Sequence, residues 1–558
     1  MAIDYDQEVA EFEWDVPAEY DLPSVIESHA ADFGDRVAIR FLSGTGGRNE
    51  RTYADLHDDA NRFANAFAGL GVEKGDRVMH LLPRHPDVFS IQIGALAVGA
   101  VLVPCSSMLT AEDLTFRAED CAATTIVCHD SLTEMVDPIV ENTPIERVIV
   151  LGGARRPPEN RVDSVTDRAD TDPGEWHSYS ELVADRDTDF AGPDLDAETY
   201  MTINYTSGTT GNPKPVAHRH RWMHCFNRIN SPYWWGIDEE TDLEDELLWA
   251  TTGTGWAKWF WSPVGVALTA GATQLLYGGE FDPDRFLTLL EDEEVTKLCA
   301  VPTQYRMFAQ TDLSNYDLAL TDLLSAGEPL NREPIDAMGE AFDLTPRDGY
   351  GQTETVALVT NYPGIDVKPG SMGRPAPGME TTVVDDEGDE VADDEIGEVA
   401  VPVGNPGLFD GYYERPDLDE QTFGGEFYRT GDLASRDEEG FLFFEGRADD
   451  IIVSAGYRIG PFEVEDALVD HEAVAEAAAV ASPQEERGQV VKAYIVLAEG
   501  YDGSEELTDE IQAFVKERTA PYKYPRRIEY VSELPKTSSG KTRRIELRER
   551  EEERYGDD

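Results

Sequence analysis

The spacing of apolar residues along the first half of the chain predicts strands and helices in alternation. Over residues 55–70 apolar positions recur every three or four residues, the spacing of a helix with one buried face, and Gly69 and Gly71 mark its end. Short apolar runs follow, RVMHLLP, VLVPC and TTIVCHD, separated by helical segments that start near residues 86 and 111. This order is typical of a doubly wound, mostly parallel sheet with helices on both faces.

The pattern changes after residue 448. Two helices, over residues 462–469 and 505–518, and three interspersed strands indicate a compact unit of about 110 residues, which is large enough for its own core. We therefore predict an α/β protein whose large amino-terminal domain, residues 1–447, consists of doubly wound mixed sheets with helices. A hinge joins this domain to a small α+β domain, residues 448–558.

The chain is strongly acidic. Its 558 residues include 112 Asp and Glu but only 46 Lys and Arg, ten of them lysine, so the net charge is −66. Disorder does not explain this composition, because acidic residues are spread over the whole length and aromatic residues make up 9%. At molar salt the Debye length falls to about 3 Å, so a carboxylate-coated surface stays hydrated without strong self-repulsion. We expect a halophilic source, the plainer alternative being a merely acidic protein.

Composition also indicates the compartment. Five scattered cysteines favour buried thiols in a reducing environment over a disulfide framework. The acidic amino terminus lacks the apolar core of a signal peptide, and the longest apolar run, residues 93–105, is shorter than the roughly 20 residues that cross a bilayer. Nucleic-acid binding is disfavoured because phosphate contacts need a basic face. We expect a cytoplasmic protein without a membrane span, and either a monomer or a homodimer.

A stretch rich in glycine and hydroxyl residues, YTSGTTGNPK at residues 205–214, predicts a phosphate-binding loop. Glycines let backbone amides turn inward, the hydroxyls donate hydrogen bonds, and Lys214 adds positive charge. The stretch is not a Walker loop, and the only GKT sequence, at residues 540–542, has Pro535 where that motif needs its first glycine. A loop of this composition is also typical of linkers, so the rest of the chain decides its meaning.

Five further stretches follow in order: SAGEPL (325–330), DGYGQTE (348–354), YRTGD (428–432), GRADDIIVSAGYRIGPFEVE (446–465) and LPKTSSGK (534–541). Together with the phosphate loop they resemble the adenylate-forming superfamily of acyl-CoA synthetases, adenylation domains and luciferases, over nearly the whole chain. Two of the stretches, GYRIGPFEVE and APYKYPRR (520–527), look closest to medium-chain acyl-CoA synthetases. The resemblance implies an AMP-forming acid:CoA ligase that uses ATP, Mg2+ and coenzyme A.

The resemblance also implies roles for single residues. Lys541 would bring positive charge to the α-phosphate, Glu354 would hold Mg2+, and Thr353 would contact phosphate, while the small domain would swing about Asp449 between the two half-reactions. Outside such motifs a solvated lysine or glutamate is the ordinary interpretation. The residues expected to bind ATP are Thr206, Ser207, Gly208, Thr209, Thr210, Gly211, Lys214, Gly327, Glu328, Pro329, Asp348, Gly349, Tyr350, Gly351, Gln352, Thr353, Asp432, Arg447 and Arg458.

The remaining expectations concern the other two substrates. The stretch TTGTGWAKWFW, residues 251–261, would line the acyl pocket through Thr254 and Trp256, together with Gly351. Acetate-specific relatives carry tryptophan where Gly351 stands, so glycine predicts room for a medium-chain or branched fatty acid, with acetate or propionate as the alternative. The residues expected to bind coenzyme A are Ala455, Gly456, Tyr457, Arg487, Lys516, Tyr524 and Arg526.

Other functions remain open at this point. An adenylating enzyme could deliver the acyl group to a carrier-protein thiol or to oxygen chemistry, although the basic residues of the small domain favour coenzyme A. A non-catalytic binding protein is disfavoured because Lys541, Glu354 and Asp432 are all present. The histidines at positions 218, 220 and 224 suggest zinc, but no cysteine or carboxylate completes a tetrahedral set, so we do not expect a metal there.

Overall fold

The structure is a computed structural model. It describes residues 3–152, 175–206, 213–328, 330, 332–455, 457–484, 487–498, 500–536 and 542–555, without the side chain of Arg458.

The first part of the chain follows the predicted alternation. Its elements are α1 (Tyr5–Glu11), α2 (Leu22–Phe33), β1 (Val37–Leu42), β2 (Arg48–Thr52), α3 (Tyr53–Gly69), β3 (Arg77–Leu81), α4 (Asp87–Ala97), β4 (Val101–Pro104), α5 (Ala111–Asp120), β5 (Thr125–His129), α6 (Thr133–Asn142), β6 (Arg147–Leu151), β7 (Glu175–Ser178), α7 (Tyr179–Val183), β8 (Tyr200–Thr206), β9 (Lys214–Arg219) and α8 (Arg221–Asn230).

The middle of the chain alternates at first and then becomes rich in strands. Its elements are β10 (Leu247–Ala250), α9 (Ala257–Trp259), β11 (Thr273–Tyr277), α10 (Pro283–Asp292), β12 (Lys297–Ala300), α11 (Pro302–Ala309), β13 (Asp322–Ala326), α12 (Arg332–Phe342), β14 (Arg347–Tyr350), β15 (Val359–Thr360), β16 (Ser371–Pro375), β17 (Thr382–Val384), β18 (Ile396–Pro402), α13 (Pro416–Phe423), β19 (Phe427–Arg436) and β20 (Leu442–Arg447).

The last part mixes short helices and strands. Its elements are β21 (Ile452–Ser454), β22 (Tyr457–Ile459), α14 (Pro461–Val469), β23 (Val474–Gln484), β24 (Gly488–Leu497), α15 (Glu505–Arg518), β25 (Arg527–Tyr530) and α16 (Arg544–Tyr555).

Two large sheets carry the first two parts. One has the order β7-β6-β5-β3-β4-β8-β9 and is parallel except at β9. The other has the order β17-β18-β19-β20-β16-β15-β14-β13-β12-β10-β11-β1-β2, with parallel pairing from β14 to β1 and antiparallel pairing elsewhere. The main hydrophobic core includes aromatic side chains of α3, α4 and α8, such as Phe63, Phe89 and Trp222. The predicted α/β class with doubly wound mixed sheets is confirmed.

The last part forms a separate sheet with its own core. Strands β21 to β24 pair in the order β22-β21-β24-β23, and β25 joins β24 in parallel. Ile495 of β24 packs there with Val464 of α14 and Ile511 of α15. The prediction of a small α+β unit is confirmed, whereas its boundary at residues 447 and 448 stays a prediction.

Local capping explains where the helices begin. The Thr52 side chain accepts a hydrogen bond from the Asp55 backbone and Asp55 returns one, a capping box that starts α3 two residues before the predicted segment. Ser504 caps α15, which has the predicted bounds. The sequence analysis missed β21 and β22, because these three-residue strands are too short to show a period.

Two further expectations can be checked directly. All five cysteines are buried and free, which confirms the prediction of buried thiols. No helix in the described ranges combines the length and the hydropathy that a bilayer crossing requires.

Candidate active site

A hydrogen-bonded cluster joins the DGYGQTE and YRTGD stretches. The Tyr350 hydroxyl donates to Asp432 Oδ2 at 2.7 Å, and the Gln352 amide donates to the same oxygen at 2.6 Å. The Tyr428 hydroxyl in turn donates to Gln352 Oε1 at 2.8 Å. Asp432 is 6% exposed, and Arg447 Nη1 lies 3.8 Å from its other oxygen. Five side chains from three strands and one turn therefore form a single site, the Asp432 cluster.

Burial keeps the Tyr350 hydroxyl of this cluster protonated. Burial, and then the charge of Asp432, raise the pKa of Tyr350 well above its usual value, so its hydroxyl stays a donor at neutral pH. Gln352 also donates to the backbone carbonyl of Thr430 at 2.8 Å, which fixes the orientation of the amide. The Asp432 cluster is consequently a rigid acceptor site with one carboxylate oxygen facing Arg447.

Glu354 lies at the end of the same turn, and its carboxylate is in an unfavourable environment. Burial raises the pKa of Glu354, and the charges of Lys214 and Arg447 oppose that rise only in part. The Tyr412 hydroxyl points at Glu354 Oε1 from 3.5 Å, which is long for a hydrogen bond. A desolvated carboxylate of this kind gains from a cation placed against it.

The segment before α13 holds this turn against the predicted phosphate loop. The Phe409 backbone donates to the carbonyl of Glu354 at 2.8 Å, and the Tyr413 backbone donates to the carbonyl of Pro215 at 2.8 Å. Lys214 Nζ lies 5.2 Å from the centroid of the Tyr412 ring, within cation–π range. Tyr412 thus contacts both sides of the site, although the sequence analysis did not single it out.

Only the two ends of the predicted phosphate loop are described. Thr206 at the end of β8 pairs with Lys214 at the start of β9 in antiparallel register, so both ends of the loop lie together. Ser207, Gly208, Thr209, Thr210 and Gly211 lie outside the described residues, as do Pro329 and Lys541.

Gly327 and Asp348 lie on the neighbouring strands β13 and β14, where Ser325 pairs with Asp348 and Gly327 directly follows β13. Gly327 has φ +105° and faces open space, a conformation that favours glycine. Asp348 is 6% exposed, its Oδ1 has no hydrogen-bond partner among the described residues, and burial raises its pKa well above the usual value. A buried polar atom without a partner is typical of a position that a ligand completes.

Three more predicted ATP-site residues lie in or shortly after these two strands. Glu328 forms an ion pair with Arg306 at 3.5 Å. Gly349 has no space for a β-carbon, which would lie 2.7 Å from the Trp234 ring. The Thr353 carbonyl accepts a hydrogen bond from His218 Nε2 at 2.7 Å. Close packing against Trp234 therefore requires glycine at position 349.

The surroundings of Gly351 are tightly packed, and its place in the acyl pocket stays a prediction. A β-carbon at this position would overlap the Trp261 ring and lie 2.5 Å from the Val356 carbonyl oxygen. The space next to Gly351 is therefore filled by Trp261, which is 5% exposed. Glycine is required here so that Trp261 can pack, and its presence alone does not indicate an open tunnel. Of the other predicted pocket residues, Thr254 is buried and donates to the Leu82 carbonyl, while Trp256 is partly exposed.

The predicted coenzyme A residues form two small groups on the last sheet. The Ala455 backbone, at φ +51°, donates to the Arg487 carbonyl at 3.0 Å. Lys516 Nζ of α15 and the Arg526 guanidinium lie 5.4 and 4.9 Å from the centroid of the Tyr524 ring. Basic and aromatic side chains are thus interleaved in an otherwise acidic region.

Tyr457 adds a third aromatic contact to this face. It is 53% exposed and stacks on Tyr522 with ring centroids 4.2 Å apart. Gly456 of the predicted coenzyme A set and the side chain of Arg458 of the predicted ATP set lie outside the described residues. Tyr522 was not among the residues predicted to bind coenzyme A, although it lies in the APYKYPRR stretch that the sequence analysis had singled out.

Asp449 lies in a single 3-10 turn, Ala448–Asp450, directly after β20. Its backbone carbonyl accepts a hydrogen bond from Arg548 of α16, and Arg548 also pairs with Asp450. The residue predicted as the hinge therefore connects the two large sheets to the last one.

The three histidines that suggested zinc have different partners. His218 stacks on Trp222, with ring centroids 3.5 Å apart, and burial lowers its pKa to about 3. His220 Nδ1 accepts from the Leu22 backbone, and His224 donates to the Asp15 carbonyl. Within the described residues no three metal-binding side chains cluster. The three histidines therefore contact neighbouring parts of the protein, through ring stacking or through hydrogen bonds with backbone groups.

Sequence reasoning missed several residues of the site. Lys258 donates to the Ala326 carbonyl at 2.7 Å, and its charge acts on Asp348. Tyr428 and Trp261 lie inside stretches that were quoted, but their partners are about 80 to 90 residues away along the chain. Their neighbours in the sequence were the only available signal.

The chain matches two family models. The model of the AMP-binding enzyme covers residues 26–413, and the model of the AMP-binding enzyme C-terminal domain covers residues 463–541. Fold and site together define an adenylate-forming enzyme, and the chain belongs to the AMP-binding enzyme family.

Relatives and solved structures agree with this assignment. The chain is 39% identical to YtcI of Bacillus subtilis, an uncharacterized acyl–CoA ligase, over 96% of this chain and 97% of that protein. It is 37% identical to the mitochondrial acyl-coenzyme A synthetase ACSM3 of Mus musculus, over 92% of this chain and 86% of that protein. The crystal structure of the anthranilate CoA ligase AuaEII with anthranoyl-AMP superimposes with a TM-score of 0.84 at 28% identity, over 96% and 98% of the two chains.

Proposed function

We propose that this protein is an ATP-dependent acid:CoA ligase. A carboxylate oxygen attacks the α-phosphorus of ATP, the bond to the β-phosphate breaks, and pyrophosphate leaves. The thiolate of coenzyme A then attacks the acyl carbon, and AMP leaves as the thioester forms. The observation that supports this most directly is the Asp432 cluster, an acceptor suited to ribose hydroxyls, together with the buried Asp348 Oδ1, which has no partner among the described residues and is suited to an adenine amino group.

The residues of this chain stabilise charge rather than react covalently. Lys214 is placed to neutralise phosphate oxygens, and Arg447 bridges the Asp432 cluster and Glu354. Lys541 would add charge at the α-phosphate in the first half-reaction, and movement about Asp449 would then expose the thiol path. Lys516, Tyr524 and Arg526 are suited to the phosphates and base of coenzyme A.

Glu354 fits a magnesium ion. Mg2+ is commonly held by one or two carboxylates, with substrate phosphates and water completing the octahedron, and Glu354 is a desolvated carboxylate next to the phosphate loop. When bound, the ion would neutralise charge on the phosphates. The Tyr412 hydroxyl lies 3.5 Å from Glu354 Oε1 and would hold that oxygen in place.

The acid is proposed to be a medium-chain or branched fatty acid, which would place the enzyme in lipid metabolism. Trp261 packs against Gly351, and acetate or propionate is the alternative. Because one methylene group is worth only about 1–3 kcal/mol in such a pocket, neighbouring chain lengths should overlap.

The net charge of −66 supports a protein adapted to high salt, and the buried thiols support a reducing cytoplasm. Raising KCl should increase both the melting temperature and the activity. Full stability in dilute buffer would contradict this part of the proposal.

One assay tests the function. Pyrophosphate release in high KCl is measured with acids of two to ten carbons, with and without coenzyme A, together with thioester formation. We expect acid-dependent release and a thioester that requires coenzyme A. Adenylation without a thioester would favour delivery to a carrier protein, and no release with any acid would refute the ligase.

A further inference from the structure

Three alternate residues of β19 are joined by one side chain. Tyr428, Thr430 and Asp432 are all buried, whereas the residues between them are partly exposed. This period of two is typical of a strand with one covered face. Gln352, from the turn after β14, forms hydrogen bonds at all three of these positions. A single amide therefore connects Tyr428 to the carboxylate of Asp432.

The amide of Gln352 uses all of its hydrogen-bonding groups in this arrangement. Its Nε2 donates to Asp432 Oδ2 at 2.6 Å and to the Thr430 carbonyl at 2.8 Å. A carboxylate and a carbonyl only accept, so the NH2 end of the amide must face them. The Oε1 atom then faces Tyr428, whose hydroxyl donates to it at 2.8 Å. Tyr428 thus supplies the one donor that the amide oxygen receives.

This donor holds the plane of the amide. Thr430 decides which end of the amide points towards Asp432, but the last torsion of a glutamine side chain is soft, so the plane can still rotate. Tyr428 is 3% exposed, and burial, followed by the charge of Glu354, raises its pKa well above the usual value. Its hydroxyl therefore stays protonated at neutral pH and restrains the rotation through its hydrogen bond to Oε1.

The two oxygens of Asp432 have different surroundings. Oδ2 accepts hydrogen bonds from both Gln352 and Tyr350, so the protein itself occupies it. Oδ1 receives no hydrogen bond from the described residues, and Arg447 Nη1 lies 3.8 Å from it. A carboxylate that is held at one oxygen presents the other in a fixed direction, which reduces the cost of ordering it when a ligand binds. Oδ1 is thus the oxygen left for a ligand hydroxyl.

We propose that Tyr428 is a positioning residue for ribose recognition, acting through Gln352 on the carboxylate of Asp432. This inference rests on the proposed function, in which Asp432 accepts the ribose hydroxyls of ATP. The Tyr428 hydroxyl donates to Gln352 and not to Asp432 itself, so its action on the nucleotide is indirect. Losing this hydroxyl should weaken binding only to nucleotides that carry the ribose hydroxyl bound by Asp432.

The test compares nucleotides that differ by one hydroxyl. Dissociation constants of the full-length protein for ATP, 2′-deoxy-ATP and 3′-deoxy-ATP are measured by calorimetry in high KCl. The ribose ratio is the Kd of a deoxy analogue divided by the Kd of ATP, for the analogue that gives the larger value. Since a hydrogen bond to a charged acceptor changes affinity by about 10- to 100-fold, we expect a ribose ratio in that range.

Tyr428→Phe removes the hydroxyl but keeps the ring, which packs edge-on against Phe409 with centroids 5.6 Å apart. The ribose ratio should fall by about three- to tenfold, the effect of one neutral hydrogen bond. Affinity for the deoxy analogue should change by less than about twofold. Both constants come from one preparation, so a smaller folded fraction does not alter the ratio. An equal loss for ATP and the analogue would mean a merely structural role and would overturn the inference.

Two further variants test the route and the specificity. Gln352→Met removes the amide, so adding Tyr428→Phe to it should not lower the ribose ratio any further. Tyr53→Phe is the matched control, because Tyr53 is fully buried and its hydroxyl donates to the Ala272 carbonyl at 2.9 Å, outside the Asp432 cluster. It should keep the ribose ratio of the unchanged protein. A further fall in the double variant, or a lower ratio in Tyr53→Phe, would contradict the proposed route.

The failures of inference and function are distinguishable. Asp432→Ala sets the scale, because its ribose ratio should fall to about one. If it does so while Tyr428→Phe keeps the ratio of the unchanged protein, the positioning role alone is refuted. If Asp432→Ala keeps the full ratio, the proposed role of Asp432 is wrong, and the inference falls with it. If the unchanged protein does not bind ATP at all, the proposed function itself is refuted.

Discussion

The predicted ATP site and the predicted coenzyme A surface differ in how much of each is already assembled. Asp432 is 6% exposed and accepts hydrogen bonds from Tyr350 and Gln352. On the coenzyme A surface Tyr457 is 53% exposed, and Arg526 stacks on its neighbour Tyr524 at 4.9 Å. A closed, buried site binds with little reorganisation, whereas exposed side chains must be ordered when the ligand arrives. Single substitutions should therefore cost far more at the first site.

The largest effect is expected from Asp432→Ala. This change removes the buried carboxylate proposed to accept the ribose hydroxyls, and each hydrogen bond to a charged group contributes about 1.5–3 kcal/mol. We expect ATP affinity, measured by calorimetry, to fall by about 10²- to 10³-fold, since 1.4 kcal/mol corresponds to tenfold. Asp432→Asn keeps one acceptor oxygen, so its ATP affinity should lie between those of the unchanged protein and Asp432→Ala. Normal ATP affinity in Asp432→Ala would show that the cluster serves folding and not the nucleotide.

Glu354→Gln should have the next largest effect. The variant keeps the shape of the side chain but removes the charge that would hold Mg2+, so adenylation should slow by about 10²-fold and require more Mg2+ for half-maximal rate. A Mg2+ titration of pyrophosphate release measures both quantities. Glu390→Gln makes the same chemical change at a side chain that is 56% exposed, and it should leave the titration unchanged. An unaltered Mg2+ requirement in Glu354→Gln would contradict the proposed metal site.

The fold followed from the sequence wherever periodicity was strong. The helical spacing over residues 55–70 and 505–518 predicted α3 and α15, and the short apolar runs predicted β3, β4 and β5. The two strands β21 and β22 did not follow, because pairing with β24 and with each other decides the conformation of such short segments.

The site was harder to predict, because its decisive contacts join distant parts of the chain. The motifs identified Tyr350, Gln352 and Asp432, but no local pattern showed that they share hydrogen bonds. The packing at Gly351 was hidden for the same reason, because Trp261, which lies against it, is 90 residues away along the chain.

At the coenzyme A surface a much smaller effect is expected. Arg526→Ala removes one partly exposed charge, and such charges contribute little individually, so the KM for coenzyme A should rise by about five- to tenfold. Adenylation without coenzyme A should not change. Arg518→Ala, at an arginine that is 50% exposed and paired with Asp470, is the matched control and should leave the KM unaltered. A loss as large as that of Asp432→Ala would show that this surface is more preorganised than its exposure indicates.

The smallest effect is expected from a change at Tyr412. It tests whether the contrast between the ATP site and the coenzyme A surface extends to the edge of the ATP site. Tyr412→Phe removes only a hydroxyl that lies 3.5 Å from Glu354 and keeps the ring beside Lys214, so kcat/KM for ATP should fall by about two- to threefold. Tyr413→Phe makes the identical change at the next residue, whose ring packs edge-on against Tyr200, and should have no effect on kcat/KM. Because the hydroxyl would hold one oxygen of the proposed magnesium ligand, the loss should shrink as Mg2+ is raised to saturation. A loss that persists at saturating Mg2+, or an equal loss in Tyr413→Phe, would assign Tyr412 to packing alone.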